Sequence, residues 1–157
     1  LWWTKGERSD VFWRSAISGG RATQAAKKGQ DLAHVSGDIC AVHPLGYPFV
    51  EKFLVSCKFY RDLKLEGAVL GNKGGISEFW EQCVREAARY AKLPMLISKQ
   101  NNTKPFICLN KTGMELLGTT GRAMAWLPVA GGMQIMWLEQ FLQSARPQRD
   151  ERRRPRL

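Results

Sequence analysis

Asp38, Ser56 and Lys58 are the residues whose types and spacing point most directly to chemistry. Ser56 and Lys58 stand two apart in Phe53-Leu-Val-Ser-Cys-Lys58. If that run is a strand, the two share one face, opposite Val55 and Cys57. Asp38 follows Gly37 in an earlier apolar stretch, and a paired strand there would set its carboxylate beside them. A carboxylate and a lysine meeting at a strand pair, with a further acid arriving from a helix, suit metal-assisted phosphodiester hydrolysis. Carboxylate oxygens hold a hard cation such as Mg²⁺, which polarises the phosphate and lowers the pKa of an attacking water. The lysine steadies the negative charge that develops. In any other surroundings Lys58 is a solvated strand lysine and Asp38 a turn residue.

Those side chains need elements to hold them. Phe49–Tyr60 reads as a strand, because Phe53, Val55, Cys57 and Phe59 alternate with Leu54, Ser56, Lys58 and Tyr60. His34–Val42 reads as an earlier strand, and His43–Pro48 supplies turn chemistry, so the spacing predicts a hairpin. Glu7–Ser15 suits a short helix, broken by Ser18-Gly19-Gly20, and the small, basic stretch to Gly29 suits a loop or arm. Ser77 is a good N-cap for a helix reaching Ala91, with Phe79, Cys83 and Ala87 on one buried face. Met95–Lys99 and Phe106–Asn110 read as short strands, and Met133–Ala145 as a closing amphipathic helix. The apolar face of that last segment needs either the core or a second subunit. Trp2, Trp3 and Trp13 are expected to pack the leading segment on the sheet, with base stacking as the other use of such rings. This order is a small α/β arrangement.

Composition narrows the setting. A chain of 157 residues that is 44% hydrophobic supports one domain with a real core, expected over residues 1–145, and excludes global disorder. The net charge is +10, of which residues 146–157 carry +4 through six Arg and two acids. That tail is expected to be disordered, and the remaining +6 favours a polyanionic partner, nucleic acid first. No apolar run approaches a membrane span and no signal peptide opens the chain, so a cytoplasmic protein without a membrane partner is expected. The four Cys lack a CxxC pair and read as reduced thiols. Cys40-x-x-His43 is a single ligand-like pair where structural zinc usually shows two, so no zinc is expected. Two His without a GxSxG elbow give no hydrolase triad, and no Walker loop or GxGxxG supports a nucleotide cofactor.

Glu7 in a leading segment, Gly37-Asp38, and the strand ending Ser56-Cys57-Lys58 resemble the PD-(D/E)XK nuclease core. The likeness is closer to small phage and bacterial endonucleases and Holliday-junction-resolvase-like proteins. It runs through Glu7–Ser15, Ser18–Thr23, Gly37-Asp38-Ile39, Phe79-Trp80-x-Gln82 and Leu93–Asn101, covering residues 2–110. The resemblance implies a restriction-endonuclease-like α/β core, a central mixed sheet flanked by helices. It also implies a Mg²⁺-dependent deoxyribonuclease, with Mn²⁺ able to substitute, acting on DNA and, as a resolvase, on junctions as a homodimer. Carried onto this chain, Asp38 is the main metal ligand, Lys58 the catalytic lysine and Glu7 a supporting acid, with Gln82 facing the site. One position departs from the pattern: Ser56 stands where the family has Asp or Glu, and a hydroxyl is a poor Mg²⁺ ligand. Glu81 or Glu78 on the following helix is the expected replacement. Glu51 is disfavoured, because its odd separation from Ser56 points it to the other strand face. The alternative is a catalytically inactive nuclease fold that binds DNA or protein. Expected nucleic-acid contacts are Arg14, Ser18, Gly19, Arg21, Thr23, Lys27 and Lys28 around the loop before Asp38, with Lys64 and Lys99 tracking flanking phosphates.

Overall fold

The computed structural model describes residues 2–15, 36–72, 74–119 and 123–145. In chain order it contains β1 (Phe12–Arg14), β2 (Ile39–Ala41), a 3₁₀ turn (Pro44–Gly46), α1 (Tyr47–Lys52), β3 (Phe53–Tyr60), α2 (Leu65–Val69) and α3 (Ile76–Arg89). It continues with β4 (Leu93–Gln100), β5 (Phe106–Leu109), α4 (Lys111–Leu116), β6 (Ala125–Leu127), β7 (Met133–Trp137) and α5 (Leu138–Ser144).

Five strands form one mixed sheet in the order β3-β4-β5-β7-β6, so β3 lies at an edge. β3 and β4 run parallel, with Phe53 opposite Leu93 and Lys58 opposite Ser98, and the other neighbours are antiparallel. A parallel pair needs a crossover, and α3 provides it. Ile76, Trp80, Cys83 and Ala87 recur at helical spacing and are buried against the sheet, on a core that includes Leu54, Leu96 and Cys108. The opposite face carries Phe53, Val55, Met95 and Ile107, covered by an aromatic cluster. There Trp2, Trp3, Phe12 and Phe53 surround Phe49 with ring centroids 5.2–6.1 Å away. Trp2 and Trp3 therefore pack on the core as expected. The α/β class and the mixed sheet flanked by helices also match the sequence reading.

Local assignments differ in instructive ways. Glu7–Ser15 is not a helix: Lys5 and Gly6 take positive φ (52° and 91°), and turns lead into β1. The predicted hairpin does not form. β2 pairs instead with β1, Phe12 opposite Ala41 and Arg14 opposite Ile39. β3 begins at Phe53 because Pro48 presets a helical first turn for Tyr47–Lys52. Glu51 thus lies on a helix, not on the Ser56 strand. α3 is capped by Gly75 rather than Ser77, which sits inside the first turn with its hydroxyl buried and without a partner among the described residues. Met133–Trp137 is a strand, since Met133 and Ile135 alternate with Gln134 between β5 and β6. Its Met133, Ile135 and Met136 are in the core, as is Phe141 of α5, and so these residues form no subunit face.

Candidate active site

The free edge of β3 decides the geometry. An edge strand leaves backbone groups unpaired, and Asp38 closes this one. Its N–H donates to Val55 O at 2.7 Å, and its Oδ2 accepts from Cys57 N–H at 2.7 Å. The carboxylate thus takes the place of a ladder carbonyl. Asp38 O in turn accepts from Ser15 N–H at 2.9 Å, which ties the end of β1 to the same point. Gly37 makes the approach possible: its φ is +89°, and a Cβ there would sit 2.7 Å from Val55 O. Buried Lys92 donates from Nζ to Ser36 Oγ at 2.6 Å, holding the backbone just before Gly37.

Ser56 and Lys58 project from the α3-facing side of β3, as the alternation predicts. Ser56 is buried, its Oγ 3.5 Å from Asp38 Oδ2. Lys58 is half-buried with Nζ 5.4 Å from the centroid of the Phe79 ring on α3. Gln82, one turn on, donates to Glu86 Oε1 at 2.9 Å, and both side chains are half-buried. Between them lies Cys83, buried, and its thiol registers the surrounding charges. Desolvation pushes it up to about 12, with Glu86 and Asp38 adding and Lys58 opposing. Both carboxylates and the ammonium therefore act on one buried point. Cys57 feels the same pair: desolvation of its thiol, then Asp38, pushes it up to about 11 against Lys58.

Outside, Asp38 opens on a cleft of about 520 Å³ lined by Phe12, Trp13, Arg14, Asp38, Ile39 and Cys57. Of the residues expected at the site, Asp38 and Arg14 line this cleft; Ser56 and Lys58 lie on the α3-facing side of β3, and Gln82 is on α3, bonded to Glu86. Glu78 and Glu81 are not brought into this cleft. They sit on the far side of α3 from Cys83, since steps of about 100° per residue carry them half a turn away. There they line a second cavity with Asn72, Ser77 and Val129, and Glu81 pairs with Arg85 at 3.9 Å. Glu7 lies in the leading turns rather than on a helix; its N–H donates to Thr4 O, beside the Arg8–Asp10 ion pair that holds Asp10 down at about 2. Lys64 is exposed at the start of α2, and Lys99 is exposed on β4. Ser18, Gly19, Arg21, Thr23, Lys27, Lys28 and the arginine tail lie outside the described residues.

Sequence reasoning missed Glu86, although a signal existed: it is one helical turn after Gln82, on the face already assigned to the site. Lys92 and Ser36 gave no signal. Among the described residues no three His, Cys, Asp or Glu side chains gather as a cation would require. The donor chemistry nevertheless suits a hard divalent ion. Asp38 Oδ1 accepts no hydrogen bond among the described residues, which leaves a carboxylate oxygen of the kind such an ion takes.

Comparison with known proteins agrees with this architecture. Residues 2–126 match the family described as phage putative PDDEXK endonuclease, and the chain belongs to that family. PDDEXK nucleases generally use divalent metals. No curated protein and no solved structure is similar enough to match.

Proposed function

We propose that this protein is a divalent-metal-dependent DNA endonuclease whose reaction takes place in the Asp38 cleft. The observation that carries the reading is a carboxylate fixed on the free edge of β3 beside a half-buried lysine, opening on a cleft that Arg14 also lines. Asp38 and Glu86 would hold the cation, Mg²⁺ or in its place Mn²⁺, with Glu86 supplying the acid that Ser56 lacks. Bound there, the ion supplies phosphate polarisation and a more acidic water. Three backbone bonds keep Asp38 aimed, so its carboxylate needs no reorganisation when substrate arrives. Lys58, held close to the Phe79 ring, offers its ammonium to the charge that grows on the phosphate oxygens. Gln82 positions Glu86, and Arg14 grips a flanking phosphate. Branched DNA, junctions included, is the substrate form that the resolvase likeness favours. Cutting both strands of a junction requires two such clefts, which calls for a homodimer.

Supercoiled plasmid and a four-way junction incubated with Mg²⁺ or Mn²⁺ test this. Cleavage is expected that EDTA abolishes and that Asp38→Asn, whose amide oxygen still accepts from Cys57 N–H, removes. Cleavage unaffected by Asp38→Asn and Lys58→Ala would sink the assignment. Ser56 at the acid position favours the second reading, an inactive nuclease fold that binds DNA; cleavage gained only on Ser56→Glu would establish it.

A further inference from the structure

Three aromatic rings, Trp13, Phe59 and Tyr60, stand at the solvent around the end of β3, outside the buried core. Trp13 is 70% exposed although it sits on a paired strand, and it lines the cleft between Phe12 and Arg14. Phe59 is 65% exposed. Two residues beyond the cleft residue Cys57, it lies on the same face of β3. Its register partner on β4 is Lys99, whose Nζ stands 5.8 Å from the ring centroid. Tyr60 is half open and packs against Phe79 at 4.6 Å between centroids, next to Lys58. Trp2 and Trp3, by contrast, are spent in the core. A solvated ring costs water an apolar surface and gives the fold nothing in return.

Open π-faces beside Arg14 and Lys99 complement a ligand with flat aromatic groups strung on an anionic chain. We infer that Trp13 and Phe59 form a stacking platform for unpaired nucleobases, so the cleft takes DNA with a single-stranded stretch at the site of cutting. Paired duplex hides its base faces within the stack, whereas a single strand, a flap or an opened branch point exposes them. Lys99 and Arg14 supply the phosphate contacts that accompany each stacked base. This rests on the nuclease reading for the nature of the ligand, but it concerns binding and is tested without cleavage.

The full chain would be titrated in EDTA, at one fixed ionic strength, into labelled oligothymidylate and into a duplex of equal length, read by fluorescence anisotropy. The single strand is expected to bind tighter. Trp13→Ala and Phe59→Ala should each weaken it by about tenfold or more while leaving the duplex affinity unchanged. Trp13→Phe should restore most of the loss, and abasic sites in the oligonucleotide should reproduce it. Because both rings are exposed, thermal melts of the variants should match the wild type. Equal affinity for both DNAs, or equal weakening of both by Trp13→Ala, overturns the platform. So does a dimer, seen by sedimentation, that falls apart in Trp13→Ala, since the rings would then belong to a second copy. Absent cleavage with intact single-strand preference would remove the nuclease reading alone; cleavage without that preference would remove the platform alone.

Discussion

Two clefts among the described residues carry carboxylates, and their surroundings differ. In the first, a single acid, Asp38, is pinned by backbone bonds to an edge strand, with Arg14 on its wall and Lys58 on the adjoining strand. In the second, two acids, Glu78 and Glu81, stand with Ser77, Asn72 and Pro128–Ala130 on the outer side of α3, where Glu81 is paired with Arg85; no basic side chain is among the described lining residues. An acid count alone would favour the second. A phosphodiester is an anion, however, and a second acid adds repulsion that the Arg85 pairing offsets at Glu81 only. What distinguishes the clefts is that the sheet edge fixes Asp38 and the strand period delivers Lys58 near it.

That contrast can be broken at several points. The largest effect is expected from Lys58→Ala, which should lower metal-dependent cleavage by roughly 10³-fold while leaving DNA affinity nearly unchanged, measured by single-turnover nicking beside binding. A parallel loss of binding would make the lysine an anchor only. Next comes Glu86→Gln, expected to cost about 10- to 100-fold in Mn²⁺ affinity, read by calorimetry, and in rate. If Glu86→Gln keeps wild-type metal binding, the relocated acid lies elsewhere.

A smaller effect needs no activity at all. With its thiol pushed up to about 11, Cys57 should alkylate on the order of tenfold more slowly at neutral pH than a free cysteine, its rate still climbing above about pH 9. Asp38 raises that value and Lys58 lowers it, so Asp38→Asn should speed labelling and Lys58→Met should slow it. Peptide mapping of iodoacetamide adducts checks both signs. No change in either variant would mean that the charges do not meet at Cys57. The smallest effect is on stability. Cys83 has its folded value raised to about 12, so in alkaline solution the unfolded chain loses that proton first. Stability is therefore full below about pH 8.5 and falls as pH climbs toward the folded value. Denaturant titrations along that range should show the decline, and Cys83→Ala should flatten it.

How much of this was legible before folding depends on how local the signal was. Period-two alternation placed Ser56 and Lys58 on one face, and helical spacing placed Cys83 and Ala87 inward. Both are backbone geometry, and the structure has both. The start of β3 was misread because apolar Phe49 and Val50 fit either period, and Pro48 decided for a helix. The closing segment failed for a related reason: its strand half is buried on both faces, which leaves little amphipathic pattern to read. Asp38 was legible as a candidate through Gly37, but its role in closing an edge was not. Sheet order comes from pairing across distant sequence, so neither the β1–β2 ribbon nor the exposed edge is written in any window. Glu78 and Glu81 were expected from their place on the helix after β3, with no account of which way they face, and they lie on its outer side. Counting along the chain does not track angle around a helix.

The most direct test sets the two clefts against each other in one assay. Mn²⁺-dependent nicking of supercoiled DNA would be measured for the wild type, for Asp38→Asn, and for the double variant Glu78→Gln with Glu81→Gln. Loss of nicking is expected in Asp38→Asn and a wild-type rate in the double variant. A double variant that no longer nicks, beside an Asp38→Asn that does, would contradict the assignment to the Asp38 cleft.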